Sequence, residues 1–114
     1  MQGNKYRNIK TTVGGVTFDS RKEYRRACEL ILMERGHLIS GLERQKRFEL
    51  QPAFKNNKGE HVRAIEYVAD FVYEKDGQKC VEDVKSVATK KDKVYVLKKK
   101  MFMFKYPDYD FIES

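Results

Sequence analysis

The sequence predicts an α/β sandwich in which helices flank a central mixed β-sheet. Apolar residues recur at helical spacing, then in extended runs separated by turn sequences, then again at helical spacing. A last extended segment follows the second helix, and a strand–helix–strand connection of this kind favours parallel pairing. The chain has 114 residues, 40% of them hydrophobic, which fits one domain spanning 1–114.

The first helix is predicted to begin at Ser20 and to end at Gly36. Residues 1–13 are expected to be loosely ordered, Gly14-Gly15 is expected to form a turn, and 16–18 form a short extended piece. The sequence Ser20-Arg21-Lys22-Glu23 matches a capping box, which favours a helix start. An apolar face follows at helical spacing, formed by Tyr24, Ala27, Leu30 and Ile31.

Three strands joined by turns are expected in the middle of the chain. They cover 42–50, 62–73 and 79–87, and the second is rich in β-branched and aromatic residues. Pro52 ends the first strand, and 56–59 forms a turn. The pair Asp76-Gly77 predicts a tight hairpin between the second and third strands.

A second helix is expected to run from the basic segment 90–93 to about Lys105, because Pro107 then ends it. Its predicted core face consists of Val94, Leu97, Met101 and Phe104. Residues 109–112 form the last strand.

The composition suggests a polyanionic partner. The chain has 24 Lys and Arg against 17 Asp and Glu, a formal net charge of +7. A basic domain of this size suits nucleic acid, although solubility alone also explains the excess charge.

The two cysteines, Cys28 and Cys80, belong to no CxxC pair, so a zinc site is not expected. We expect both to be reduced, buried thiols in a cytoplasmic protein. The polar N-terminus does not resemble a secretory signal, and no apolar run is long enough to span a bilayer.

Three charged residues are predicted to meet on the sheet. Asp83 and Lys85 lie two positions apart, so they share one face of a regular strand at a separation of about 7 Å. The Asp76-Gly77 hairpin brings Asp70 back beside them. Two carboxylates held close together repel each other unless a cation lies between them, and their hard oxygen ligands suit Mg²⁺ or Mn²⁺. A lysine beside them would orient or deprotonate water, or neutralise the charge of the transition state.

A purely structural interpretation competes with this one. A single Asp-x-Lys is only three residues long and is usually a solvent-facing charge pair. The combination of an Asp in one apolar strand, a tight hairpin and Asp-x-Lys in the next is less common. Burying three charges without a function would cost several kcal/mol.

The spacing Asp70…Asp83-Val84-Lys85, downstream of a helix that carries Glu23, resembles the PD-(D/E)XK nuclease superfamily. The likeness extends to the segments 4–6, 18–23, 50–52, 67–71 and 97–100, which resemble small phage-encoded endodeoxyribonucleases often labelled Holliday junction resolvases. Ala69 occupies the position of the proline in the PD-(D/E)XK motif. The resemblance implies a restriction-endonuclease-like sandwich, cleavage of DNA with Mg²⁺ or Mn²⁺, and a phage protein acting in the cytoplasm of a bacterial host.

The resemblance also implies site residues. Asp70 and Asp83 would be metal ligands together with the Val84 carbonyl, Lys85 would be the catalytic lysine, and Glu23 would be an additional acid. Two interpretations of Glu23 stay open, because the capping box alone also explains it.

Two basic patches are expected to contact DNA backbone. One follows the catalytic motif, and the other lies on the first helix; together they comprise Lys90, Lys91, Lys93, Lys98, Lys99, Arg21 and Arg25. For Lys98, snorkelling from an apolar helix face is the favoured explanation. A junction resolvase makes two symmetric cuts, so a homodimer is expected. The alternative function is a module that binds nucleic acid or a phage protein without cutting.

Overall fold

The computed structural model describes residues 11–13 and 16–114. Its elements in chain order are β1 (Thr11–Val13), β2 (Val16–Phe18), α1 (Arg21–Arg35), β3 (Ser40–Gln51), β4 (Phe54–Lys55), β5 (His61–Val62), β6 (Ile65–Lys75), β7 (Gln78–Asp83), α2 (Val87–Lys90), α3 (Lys93–Lys105) and β8 (Asp110–Glu113).

A mixed four-stranded sheet with the order β3-β6-β7-β8 forms the centre of the fold. β3 and β7 pair with β6 in antiparallel fashion, whereas β8 pairs with β7 in parallel after the crossover through α3. The predicted α/β class, the central mixed sheet and the parallel last strand are therefore confirmed. Two small antiparallel ribbons, β1–β2 and β4–β5, lie outside this sheet.

Two buried clusters hold the helices to the sheet. Ala27 and Leu30 of α1 pack in a first cluster with Phe71 of β6. Phe102 of α3 is fully buried in a second cluster, where its ring lies 4.9 Å from that of Phe48 and 5.2 Å from that of Tyr67. Such aromatic pairs stabilise beyond the apolar area that they bury, so this cluster helps to fix α3 to the sheet.

The strands do not alternate regularly through their whole length. Tyr67 and Ala69 of β6 pack in the second cluster, whereas Phe71 and Tyr73 pack in the first. A regular strand would put all four on one face. The switch occurs at Asp70, which is why this residue lies where the two layers meet.

Most predicted elements have the expected place. The first helix begins after Ser20 and ends before Gly36, and the hairpin turn has positive φ at Asp76 and Gly77, as its sequence requires. The strand predicted over 62–73 is divided, because β5 ends at Val62 and β6 begins at Ile65. The strand predicted over 79–87 ends at Asp83, since Ser86 caps the short helix α2.

The prediction for residues 1–13 is wrong for its last part, because Thr11–Val13 forms a strand that pairs with β2. Residues 1–10 and the predicted turn at Gly14 and Gly15 lie outside the described residues.

The predicted core face of α3 is wrong. Val94, Leu97 and Phe104 are exposed, the last to 89%, and only Met101 packs against the core. Phe102 occupies the core instead, because the aromatic cluster under the sheet accepts its ring. Lys98 is half-buried.

Two predictions of burial in α1 are also wrong. Ile31 is 41% exposed, and the Cys28 thiol lies at the surface, whereas Cys80 is buried as expected. Only Ala27, Leu30 and Glu23 are buried along this helix, so its contact with the sheet is narrower than the apolar spacing suggests.

No helix within 11–13 and 16–114 is both long and apolar enough to cross a membrane.

Candidate active site

Glu23 lies almost fully buried at the first turn of α1, with 2% of its surface exposed. Ser20 caps the helix by accepting a hydrogen bond from the Glu23 backbone N–H at 3.1 Å. The Glu23 carboxylate accepts from the backbone N–H of Asp19 through Oε1, at 3.0 Å. Its Oε2 accepts from Arg44 Nη2 at 3.3 Å and from Gln45 Nε2 at 3.2 Å. Oε1 therefore binds the backbone just before α1, whereas Oε2 faces β3 of the sheet.

Asp70 occupies the point where β6 changes faces, and it is 8% exposed. Its Oδ2 accepts from the Val84 N–H at 2.9 Å, and its Oδ1 accepts from Gln45 Nε2 at 3.4 Å. Burial, and then the charge of Asp83, raise the pKa of Asp70 to about 7, with a smaller contribution from Glu23; the Val84 N–H and Lys85 act in the opposite direction. The carboxyl group is thus poised between its charged and neutral forms near neutral pH.

Asp83 lies behind Asp70 and is fully buried. Its Oδ1 accepts from the Asp70 N–H at 3.2 Å, and its Oδ2 accepts from the Tyr67 hydroxyl. Burial, followed by the Asp83 charge, raises the pKa of Tyr67 well above its ordinary value, so the hydroxyl keeps its proton and remains a donor. The two predicted acids are therefore neighbours, as expected, although Asp83 is the less accessible of the two.

Lys85 follows the end of β7 and lines a cavity of about 110 Å³ together with Glu23, Asp70 and Val84. Its Nζ lies 4.8 Å from the centre of the Tyr95 ring, a distance at which a cation and an aromatic face attract. The Tyr95 hydroxyl donates to Glu113 of β8. A backbone hydrogen bond also holds the segment after β7, since the Lys85 N–H donates to the Ser114 carbonyl at 3.0 Å.

Asp19 joins this group, although the sequence analysis gave it no role. Asp19, Glu23 and Asp70 each offer a carboxylate oxygen, and the three oxygens lie within 4.8 Å of one another. Asp19 is exposed, so it lies at the mouth of the site. The available signal was its position directly before the helix cap, at the end of α1 that also carries Glu23.

A buried carboxylate with an arginine partner lies on the opposite side of β7. Glu82 is fully buried and accepts from Arg26 Nε at 2.6 Å, from Arg26 Nη2 at 3.0 Å and from the Tyr73 hydroxyl at 2.7 Å. Burial alone would raise the pKa of Glu82, but these donors hold it below its usual range. Because Glu82 is already paired, it explains how α1 is fastened to the sheet and is a poor candidate for chemistry.

The predicted DNA-contacting residues have unequal exposure. Those with exposed side chains are Arg21, Arg25, Lys90, Lys91 and Lys93. Lys99 is half-buried, and its Nζ lies 3.3 Å from Glu113 Oε2, so its charge is partly used within the fold.

A larger cavity of about 500 Å³ lies beside the acidic one and shares Lys22 and Val84 with it. Arg25 and Arg26 also line it. Cationic side chains thus border the acidic site on the side of α1.

A family model with the description "Protein of unknown function (DUF1064)" matches residues 3–112. The chain belongs to this family. The match spans nearly all of the chain, including every acid of the candidate site and Lys85. Searches of curated proteins and of solved structures found no match.

Proposed function

We propose that this protein is a metal-dependent endodeoxyribonuclease that hydrolyses phosphodiester bonds on a restriction-endonuclease-like fold. The observation that carries the proposal is a single cavity that collects Glu23 from α1, Asp70 from β6 and Lys85 from the segment after β7. Phosphodiester hydrolysis needs an activated water and a positive charge near the phosphate oxygens, where negative charge develops in the transition state. Acids that bind a cation, beside an amine, can supply both.

The donor set fits Mg²⁺, with Mn²⁺ as the alternative. Asp19, Glu23 and Asp70 offer hard carboxylate oxygens within 4.8 Å of one another, and these are the ligands that both ions prefer. Asp83 and the Val84 carbonyl stay proposed as further ligands, by resemblance to the nuclease superfamily. An ion bound there supplies Lewis-acid polarisation of the scissile phosphate. The raised pKa of Asp70 supports the fit, because burial and then the charge of Asp83 outweigh the opposing effects of the Val84 N–H and Lys85.

The residues of the chain have separable tasks in this proposal. Lys85 orients or deprotonates the attacking water, or neutralises charge at phosphorus, and the Tyr95 ring keeps its ammonium group near the cavity. The Tyr67 hydroxyl and the Asp70 N–H hold the Asp83 carboxylate in place behind the cavity. Lys22 and Arg25, beside the acidic cavity, contact phosphates of the DNA backbone.

We further propose branched DNA in phage recombination as the substrate, and a homodimer as the active form. One chain carries one such cavity among its described residues, whereas resolution of a four-way junction requires two symmetric cuts. A monomeric mass for the protein bound to a junction would contradict this part of the proposal.

The test is cleavage of supercoiled plasmid and of a synthetic four-way junction in Mg²⁺, with EDTA as the metal-free arm. Wild-type protein is expected to cut only with the metal. Lys85→Ala is expected to lower the cleavage rate at least a hundredfold, since positioned acid–base or electrostatic groups contribute factors of about 10² to 10⁴.

Lys55→Ala is the matched control, because it removes the same charge from the exposed β4–β5 ribbon, whose residues do not line the cavity. Normal cleavage by Lys85→Ala would overturn the site assignment. Binding of the junction by wild-type protein without any cleavage would replace the proposal with that of a non-catalytic DNA-binding module. Flap, nicked and linear duplexes, assayed in parallel, identify the preferred structure.

A further inference from the structure

Gln45 has an unusual backbone for its place in the fold. It lies in the middle of the twelve-residue strand β3, yet its φ is +52°. Residues with a Cβ rarely adopt this left-handed region, and Asn, Asp and His are the types enriched there. The other two non-glycine residues with positive φ among those described, His37 and Asp76, lie in turns. Backbone strain inside a strand persists only where the surroundings hold it, and it is concentrated at functional sites.

The strained residue stands directly opposite Asp70. Arg44 pairs with Phe71 and Lys46 pairs with Ala69, so the register leaves Gln45 across from Asp70 with no inserted residue. β3 changes faces here just as β6 does: the Arg44 guanidinium lies 4.1 Å from the ring of Phe18 in the first cluster, whereas Phe48 packs in the second. At Gln45 and the opposing Asp70, the side chains of both strands therefore change from one face of the sheet to the other.

The Gln45 amide uses this position to hold two acids. Its Nε2 donates to Glu23 Oε2 at 3.2 Å and to Asp70 Oδ1 at 3.4 Å. A primary amide has two N–H donors, so one nitrogen can serve both carboxylates. The Glu23 carboxylate also pairs with Arg44 Nη2 at 3.3 Å. The Gln45 amide adds no further positive charge, so it holds Asp70 without compensating the negative charge of that residue.

We propose that Gln45 is a positioning residue for the acidic site: its left-handed backbone sets Asp70 between the two layers, and its amide holds Asp70 and Glu23 at a separation suited to a shared divalent cation. This inference rests on the metal-dependent function proposed above. It assigns a role at the site to Gln45, which belongs to neither the sequence motif nor the acidic cluster, and it explains the positive φ of this residue.

The test compares Mn²⁺ affinity and thermal stability in wild-type protein, Gln45→Gly and Gln45→Ala. Glycine adopts φ of +52° without strain, so Gln45→Gly is expected to have a Tm at or above that of Gln45→Ala while the amide is lost in both. Loss of a group that orients metal ligands typically weakens metal binding about ten- to hundredfold. We therefore expect a fall of that size in the Mn²⁺ affinity of Gln45→Gly, measured by electron paramagnetic resonance of free Mn²⁺, in a variant that is fully folded.

Asp76→Gly is the matched control, because Asp76 has the same φ of +52° but lies in the β6–β7 hairpin turn. It is expected to bind Mn²⁺ as tightly as the wild type. An unchanged or higher Mn²⁺ affinity in folded Gln45→Gly would overturn the inference while leaving the proposed function intact. Wild-type protein that binds no Mn²⁺ would remove the proposed function itself, and the inference with it.

Discussion

Replacing Asp70 by asparagine is expected to stabilise the protein at neutral and alkaline pH. Burial and the neighbouring acids raise the pKa of Asp70 from its ordinary 3.8 to about 7. A group whose pKa is higher in the folded than in the unfolded chain stabilises the fold when it is protonated. This contribution is complete below about pH 4, is lost as the pH rises to about 7, and is absent above that.

The structure also sets the size of the effect. The two pKa values of Asp70 differ by about 3, and each unit corresponds to about 1.4 kcal/mol, which gives about 4 kcal/mol. Asparagine keeps an oxygen that can accept the hydrogen bond from the Val84 N–H but has no charge to bury. Asp70→Asn should therefore gain up to about 4 kcal/mol in the free energy of unfolding at pH 8, and almost nothing at pH 4.

Urea denaturation at several pH values between 4 and 8, in EDTA, measures this difference. Asp108→Asn is the control, since Asp108 is exposed and its replacement should change stability by less than about 0.5 kcal/mol. If Asp70→Asn is no more stable than the wild type at pH 8, Asp70 is not an uncompensated buried charge. The reasoning that assigns it to a cation site would then be refuted.

Added Mg²⁺ should act on the wild type alone. An ion that binds only the folded chain stabilises it by about 2.7 kcal/mol at a concentration of 100 times its dissociation constant. Asp70→Asn lacks the charge that attracts the ion, so its denaturation curve should not move. Equal stabilisation of both proteins would place the ion elsewhere.

Two further predictions concern the ion pair under α1 and the basic segment before α3. Arg26→Leu leaves Glu82 buried without its cation, and urea denaturation should show a loss of about 3 to 5 kcal/mol; a loss under 1 kcal/mol would show that water reaches the carboxylate. Lys91→Ala removes an exposed charge from the residue that follows α2, and fluorescence anisotropy should show the salt dependence of DNA binding falling by about one unit of slope. An unchanged slope would remove Lys91 from the DNA surface.

Features that depend on a few adjacent residues were predictable from the sequence. The Asp76-Gly77 turn, the cap at Ser20 and the stop at Gly36 each depend on a few adjacent residues, and each lies where it was expected. The parallel pairing of β8 also followed, because a crossover through a helix leaves little choice of direction.

Burial was not predictable from the sequence where it depends on how two elements pack against each other. On α3, Val94, Leu97, Met101 and Phe104 have helical spacing, and only the aromatic cluster under the sheet reveals that Phe102 is buried instead. Spacing identifies an apolar stripe but not the face that the rest of the fold covers.

The same limit applies to the candidate site. The Asp76-Gly77 hairpin correctly predicted that Asp70 lies near Asp83, but no sequence signal indicated the change of faces at Asp70. That change depends on the conformation of Gln45 in a neighbouring strand, and nothing in the sequence around Gln45 marks it. Asp19 was missed for a similar reason, because its nearness to Asp70 exists only after α1 has packed on the sheet.

The surroundings of Asp70 and Glu82 differ in a way that stabilisation of the fold alone does not explain. Glu82 shows how this fold accommodates a buried carboxylate when structure alone is required: a bidentate arginine and a tyrosine hydroxyl surround it, and its pKa falls. Asp70, a few residues away in the same sheet, has no such cation and receives only an amide and a backbone N–H, and its pKa rises. The same sheet thus pairs one buried carboxylate with an arginine and leaves the other without a hydrogen-bonded cation, and this contrast supports the proposal that a cation binds at Asp70.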